Sequence, residues 1–225
     1  MCGMEKNFQE QWVLWAMQNQ LTMDSNHVYR LDGRILPSST QILGEYIKIE
    51  LYGETWWVHT PTSTAIPEHI MERARQIGNA IHKIAFYIFT GRGIDVEALN
   101  PILVGPAKQL LLWADKYLTE TILCEVPLAS IRYGYAGTLD LFAKLKGLKR
   151  LVLVDLKSGL SSMVGPQVAS YENLIHENKY KGVIERWKLQ IPKDGSDYEF
   201  TQLKRRDDWM FFMQKLQAYN WLQQT

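Results

Sequence analysis

Apolar positions recur along the chain with two different spacings, and the switches between them mark the expected elements. Phe8, Trp12, Trp15 and Ala16 recur at helical spacing, which predicts a short amphipathic helix near the N-terminus rather than a signal peptide. Residues 27–31 and 34–36 flank Asp32-Gly33, the pattern of a β-hairpin with an Asp-Gly turn. Pro37 ends that hairpin, and Ser38-Ser39-Thr40 can cap a helix running to Tyr46. Over residues 47–58 the alternation is weak around Tyr52-Gly53-Glu54, which suits a second hairpin or a loop.

Pro67 then opens a long helical pattern. Ile70, Ala74, Ile77, Ile81, Ile84 and Ile88 form one apolar stripe, stopped by Gly91 and Gly93. Residues 106–117 predict another helix, and three apolar strands follow at about 121–133, 135–144 and 150–157. Gly165-Pro166 precedes a helix over 167–178, and strands over 183–191 and 198–203 flank the turn Lys193-Asp194-Gly195-Ser196. A last amphipathic helix over 207–223 carries Phe211, Met213, Leu216, Tyr219 and Leu222. This order predicts an α/β chain with a mixed central β-sheet flanked by α-helices. There is no repeat and no long linker, so residues 1–225 read as one domain. Residues 1–66 form a helix-and-hairpin elaboration on a main body over 67–225.

Composition narrows the field only a little. The net charge of +1 over 225 residues gives no global signature of a polyanion partner, so any nucleic-acid surface must gather its basic residues locally. Cys2 and Cys124 form no CxxC pattern, which leaves no zinc knuckle and no four-cysteine iron–sulfur cluster and suits a reducing, cytoplasmic compartment. No 18-residue apolar window suggests a membrane span.

Chemistry concentrates in two strand ends, Gly137-Thr138-Leu139-Asp140 and Leu151-Val152-Leu153-Val154-Asp155-Leu156-Lys157. Residues two apart on a strand share a face, so Asp155 and Lys157 point the same way. If Asp140 lies on a neighbouring strand, two acids and a lysine converge, a set that can hold a divalent cation and the water it activates. Without a cation the two carboxylates would repel each other. Taken alone, the Asp-x-Lys triplet also suits an ion pair at a surface strand end. The apolar run before it argues for a buried strand, whose charges need partners. Gly78 and His82 stack on one helical face, leaving room beside the imidazole for another backbone or a ligand, although a helical histidine can equally be packed or solvated. Gln167 and Tyr171 are likewise four apart. They could hydrogen-bond a phosphate or base edge, or simply cap and half-bury the helix.

In order, Gly78-x-x-x-His82, Glu125, Gly137-Thr138-x-Asp140, Asp155-x-Lys157 and Gln167-x-x-x-Tyr171 resemble the RecB-like branch of the PD-(D/E)XK nuclease superfamily over roughly residues 70–220. The segment around Asp32-Gly33, Pro37-Ser38-Ser39-Thr40 and Gln41-Ile42-Leu43 is similar to the N-terminal part of phage-type exonucleases. The resemblance implies a restriction-endonuclease-like core and a metal-dependent DNA exonuclease acting in recombination or end processing. An endonuclease and a catalytically silent DNA-binding module on the same fold are the alternatives. It further implies that His82, Asp140, Asp155 and the Leu156 carbonyl ligate Mg²⁺ or Mn²⁺. Lys157 would orient or activate the attacking water and stabilise charge developing on the phosphate, and Glu125 would help place that water or a second ion. Gln167, Tyr171, Ser39 and Thr40 would meet DNA. A recombinase or single-strand-binding protein as partner, a homo-oligomer, no membrane and a cytoplasmic location (the host's, if phage-encoded) follow by the same analogy.

Overall fold

The computed structural model describes residues 21–24 and 27–224, and the helix expected around Phe8 and Trp15 lies outside them. In chain order the elements are β1 (Thr22–Met23), β2 (Tyr29–Leu31), β3 (Arg34–Leu36), α1 (Ser39–Leu43), β4 (Tyr46–Leu51), β5 (Glu54–His59) and β6 (Thr64–Pro67). Then come α2 (Glu68–Phe89), α3 (Pro101–Tyr117), β7 (Leu118–Ser130), β8 (Tyr135–Leu145), β9 (Leu151–Lys157), α4 (Val164–Glu177), β10 (Ile184–Gln190), β11 (Glu199–Gln202) and α5 (Asp208–Leu222). Five strands form the central sheet in the order β11-β10-β9-β8-β7, and two three-stranded sheets are built from β1–β3 and β4–β6. The protein is thus a mixed α/β structure. β9 and β10 run parallel while the other central pairs are antiparallel, and α4 makes the crossover that a parallel pair requires.

The pleat of β9 explains the layering. Val152, Val154 and Leu156 pack with Ile81, Ile84 and Phe89 of α2 and Leu110 and Trp113 of α3. Leu151 and Leu153 turn the other way, onto Val168, Tyr171 and Leu174 of α4 and Phe212 of α5. Each such side chain contributes about 1.5–3 kcal/mol on leaving water, so a strand covered on both faces is held firmly. The same alternation sends Asp155 to the α4 side.

Several boundaries differ from those the sequence predicts. α1 ends at Leu43 instead of reaching Tyr46, because Gly44 adopts the left-handed conformation (φ 57°) and its N–H returns to Thr40 O. Residues 47–58 form a hairpin and not a loop, with Tyr52 and Gly53 both at positive φ, and β6 adds a third strand. α3 starts at Pro101 rather than near Pro106, since the Asn100 side chain caps Ile102 N–H and Pro101 occupies the first turn. Gly165 and Pro166 lie inside the first turn of α4 rather than ahead of it. In α5 the buried line is Asp208, Phe212 and Leu216, whereas Phe211 and Leu222 face outward. Arg186 sets that rotation by pairing with Asp208 (3.2 Å). Among the described residues no helix is long and apolar enough to cross a membrane.

One close approach locks α3 to the β10–β11 turn: a Cβ on Gly105 would lie 2.7 Å from Gly195 Cα. Gly105→Ala gains up to about 1 kcal/mol of helix propensity. It also drives a methyl into backbone, where overpacking costs roughly 1–3 kcal/mol with no rotamer to relieve it. The expected outcome is a lower urea midpoint than wild type; a higher one would show that the approach is not tight.

Candidate metal centre

The ladder between β8 and β9 pairs Leu141 with Val154 and goes no further toward Asp140 and Asp155. Where the two strands part, the Leu156 N–H loses its partner, and Asp140 Oδ2 accepts it instead at 2.6 Å. Lys157 O accepts Ile191 N–H on the β10 side. By strand alternation Leu156 therefore turns its own N–H and C=O toward the gap.

A second irregularity sits at the same level. Val126 and Leu139 pack in the α4 layer, but two residues along, Cys124 and Leu141 pack in the α2 layer. The alternation changes phase between them, at Glu125 and Asp140, and Glu125 adopts φ 53°. A left-handed conformation in a non-glycine residue costs roughly 1–2 kcal/mol. It persists because the paired strands on either side fix it, and strain of this kind clusters at functional sites. Its effect is to aim two carboxylates at one histidine of α2. His82 Nδ1 lies 3.2 Å from Glu125 Oε1 and 3.4 Å from Asp140 Oδ1, and ligand atoms of the three residues all lie within 4.8 Å of one another. They could hold a metal ion.

The ligand set expected from sequence is therefore redistributed. Glu125, expected only to assist, is in the cluster; Asp155, expected as a ligand beside His82 and Asp140, is not a member of it. Asp155 is 1% exposed and its carboxylate is paired with Lys157 Nζ at 2.9 Å, off the line of a hydrogen bond. Neither of its oxygens accepts a hydrogen bond among the described residues. A buried carboxylate in that condition, close enough to Asp140 and His82 to feel their charges, fits a hard divalent cation as its missing partner. Burial pushes the Asp155 pKa up to about 6, against the opposing pull of Lys157. Burial also raises Glu125, while Asp140 is drawn below its usual range because His82 outweighs the desolvation. For His82 burial acts downward, but Asp140 and Glu125 overcome it and raise the pKa to about 10; a metal bound there would take the place of the Nδ1 proton, since only a neutral imidazole nitrogen can ligate.

The remaining expected residues divide between lining and bracing. Thr40 lines a cleft of about 740 Å³ together with Tyr29, Asn79, His82, Lys83, Phe86, Glu125, Asp140 and Tyr171. Ser39 does not reach it: fully buried, it donates to Ala136 O (3.3 Å) and accepts from Ser170 Oγ (2.8 Å), which corrects its expected DNA contact to an internal strut. Gly78 makes room for a side chain, not a ligand, since a Cβ there would sit 3.1 Å from Ser158 Oγ. Gln167 and Tyr171 are hydrogen-bonded to each other at 2.8 Å. Sequence reasoning overlooked Glu45. Its carboxylate takes Ser162 N–H (2.7 Å) and Ser161 Oγ–H (2.8 Å), tying the loop after β9 to the β4–β6 sheet. Nothing local marks that role, because the partners lie more than a hundred residues away.

Comparison with known proteins finds no family model that matches the chain and no curated protein that matches it.

Asp140→Asn keeps an acceptor for the Leu156 N–H but removes a ligand charge. The fold should survive by circular dichroism, while Mn²⁺ affinity measured by calorimetry should fall by roughly tenfold or more. Unchanged affinity would remove Asp140 from the site.

Proposed function

We propose that this chain is a divalent-cation-dependent DNA exonuclease with its active centre where β8 and β9 part. The observation that carries the reading is the convergence of the His82–Glu125–Asp140 cluster with a buried, hydrogen-bond-deprived Asp155 and its partner Lys157. Such a set matches the chemistry of phosphodiester hydrolysis. The five ordered motifs supply the choice of DNA and of a restriction-endonuclease-like core.

His82, Glu125 and Asp140 would hold Mg²⁺ or Mn²⁺, with the Leu156 carbonyl turned toward the same gap and Asp155 on the α4 side of β9. When bound, the ion supplies Lewis acidity toward phosphate oxygen and a more acidic water. The rest belongs to the protein. Lys157 is a fixed positive charge at the edge of the cluster, 20% exposed, where negative charge grows on the phosphate during attack. Burial would lower its pKa, but Asp155 and Asp140 prevail and raise it, so Lys157 acts as a charge rather than as a free base. Asp140 fixes the strand gap through the Leu156 N–H. Tyr29 Oη and Thr138 Oγ1, 2.9 Å apart, give the cleft wall a hydroxyl pair.

The wall formed by α2 suits a polyanion. At 3.6 residues per turn Arg75, Asn79, His82, Lys83 and Phe86 fall within about 100° of arc. Arg75 stacks over Trp57 at 3.9 Å at one end, and Arg92 over Phe86 at 4.9 Å at the other. Arg75, Lys83 and Arg92 supply positive charge along this line, while Glu68 and Glu72 fall on the same arc at the start of α2.

The direct test is digestion of end-labelled linear duplex beside covalently closed circles, with Mg²⁺ and with EDTA. Loss of the linear form alone, and only with Mg²⁺, is expected; cutting of circles would make the enzyme an endonuclease, and binding without cutting a silent module. Lys157→Ala should lower kcat by about a hundredfold or more, and near-wild-type turnover would remove the lysine from the chemistry. Lys83→Ala should reduce the salt dependence of DNA binding by about one unit of log–log slope. An unchanged slope would take α2 out of the binding surface.

A further inference from the structure

Behind Lys157 runs a buried polar chain that the hydrolytic reading leaves without a task. Lys157 Nζ donates to Gln167 Oε1 at 3.0 Å, and Gln167 Nε2 donates in turn to Tyr171 Oη at 2.8 Å. The order fixes the amide: an ammonium offers no acceptor, so the Gln167 oxygen faces it and the nitrogen faces the phenol. Gln167 and Tyr171 are only 7% and 5% exposed. The tyrosine ring is itself held in place, since a Cβ on Gly137 would lie 2.5 Å from its Cε1. Ser170, one residue before it on α4, is anchored to Ser39.

We propose that Gln167 and Tyr171 are positioning residues for Lys157 rather than DNA contacts. Gln167 sets the lysine's direction, and Tyr171 sets the amide's. The argument is one of competition. Lysine is a flexible stem bearing a rotatable charge, so its direction comes entirely from its partners. Asp155 is one partner, but it meets the ammonium off the hydrogen-bonding line, and a carboxylate beside a cation site has other claims on its charge. Gln167 is neutral, buried and backed by Tyr171, so its hold on the ammonium does not change with the state of the acids. Its oxygen and one N–H are engaged inside the protein, and at 7% exposed the residue offers little access to a phosphate or a base.

The kinetic part of the test rests on the nuclease reading; the spectroscopic part does not. The ¹H–¹⁵N correlation of lysine ammonium groups is recorded on the full-length protein, with the Lys157 signal assigned by its disappearance in Lys157→Arg. Gln167→Leu should speed hydrogen exchange of that ammonium by about tenfold or more. Tyr171→Phe, which keeps the ring beside Gly137, should have a smaller effect in the same direction. Gln167→Glu, which keeps an acceptor, should restore slow exchange, and it decides the matter if Gln167→Leu does not fold. Unchanged exchange in Gln167→Leu, or no rescue by Gln167→Glu, overturns the proposal. With DNA as substrate, Gln167→Leu should lower kcat by about tenfold to a hundredfold at unchanged KM and DNA affinity. Added to Lys157→Ala it should cost nothing further, because it acts through the lysine. A raised KM with kcat preserved, or losses that multiply, would make Gln167 a substrate contact and overturn the assignment. If wild-type protein cleaves no DNA the nuclease reading fails, and the ammonium exchange alone decides the role of the brace.

Discussion

A carboxylate placed on a strand that is covered on both sides governs the architecture around it. β9 is buried along nearly its whole length, and Asp155 shares that burial at 1% exposed. Keeping a charge there costs several kcal/mol after relaxation. Leu151, Val152, Leu153, Val154 and Leu156 are nearly inaccessible on the same strand, and each contributes about 1.5–3 kcal/mol, so the apolar term is large enough to carry one unfavourable passenger. What it cannot do is neutralise the charge. The neighbouring polar groups respond to that remainder: Lys157 swings back over Asp155, and Asp140 occupies the gap where β8 leaves the ladder.

The gap is as important as the charges. Continuous pairing of β8 with β9 would satisfy the Leu156 N–H with a backbone carbonyl and close the space between Asp140 and Asp155. Ending the ladder at Leu141 and Val154 frees a donor that only a side chain can take, and Asp140 takes it. On the other side of β8 the left-handed turn of Glu125 changes the phase of the pleat and brings a second acid toward His82. Three carboxyls then face one imidazole and one ammonium. With the imidazole neutral, as a ligand must be, three carboxylates and one ammonium sum to two negative charges, a balance that favours a divalent cation.

How far the sequence disclosed this depends on whether the signal was local. The apolar run of β9, the Asp32-Gly33 turn, the α2 stripe and the pairing of Asp155 with Lys157 are all properties of a few neighbouring residues, and they are legible. The hidden parts are settled at a distance. Glu125 joins His82 because of a backbone conformation that no residue preference announces, and Asp155 stands outside the trio because the pleat of β9 turns it to the α4 side. Ser39 and Thr40 are adjacent in sequence, yet one is sealed against Ala136 and Ser170 and the other opens on the cleft. Even α1 is shorter than the run of residues to Tyr46 suggested, because one glycine adopted the left-handed conformation.

These placements divide the work between the two faces of the sheet. The α2 side brings His82 and, along the same wall, Asn79 and Lys83; the α4 side brings the Gln167–Tyr171 pair against the lysine. Asp140 belongs to both, touching the imidazole with one oxygen and the backbone of β9 with the other. A displacement of α4 would therefore reach the lysine first, and a displacement of α2 would reach the histidine first. Only a change in the parting of β8 and β9 would disturb both together. The contacts that fix that parting are consequently the ones on which ligand geometry and charge placement jointly depend. They are the Leu156 N–H, the strained Glu125 and the glycine at 137 that lets Tyr171 close over β8.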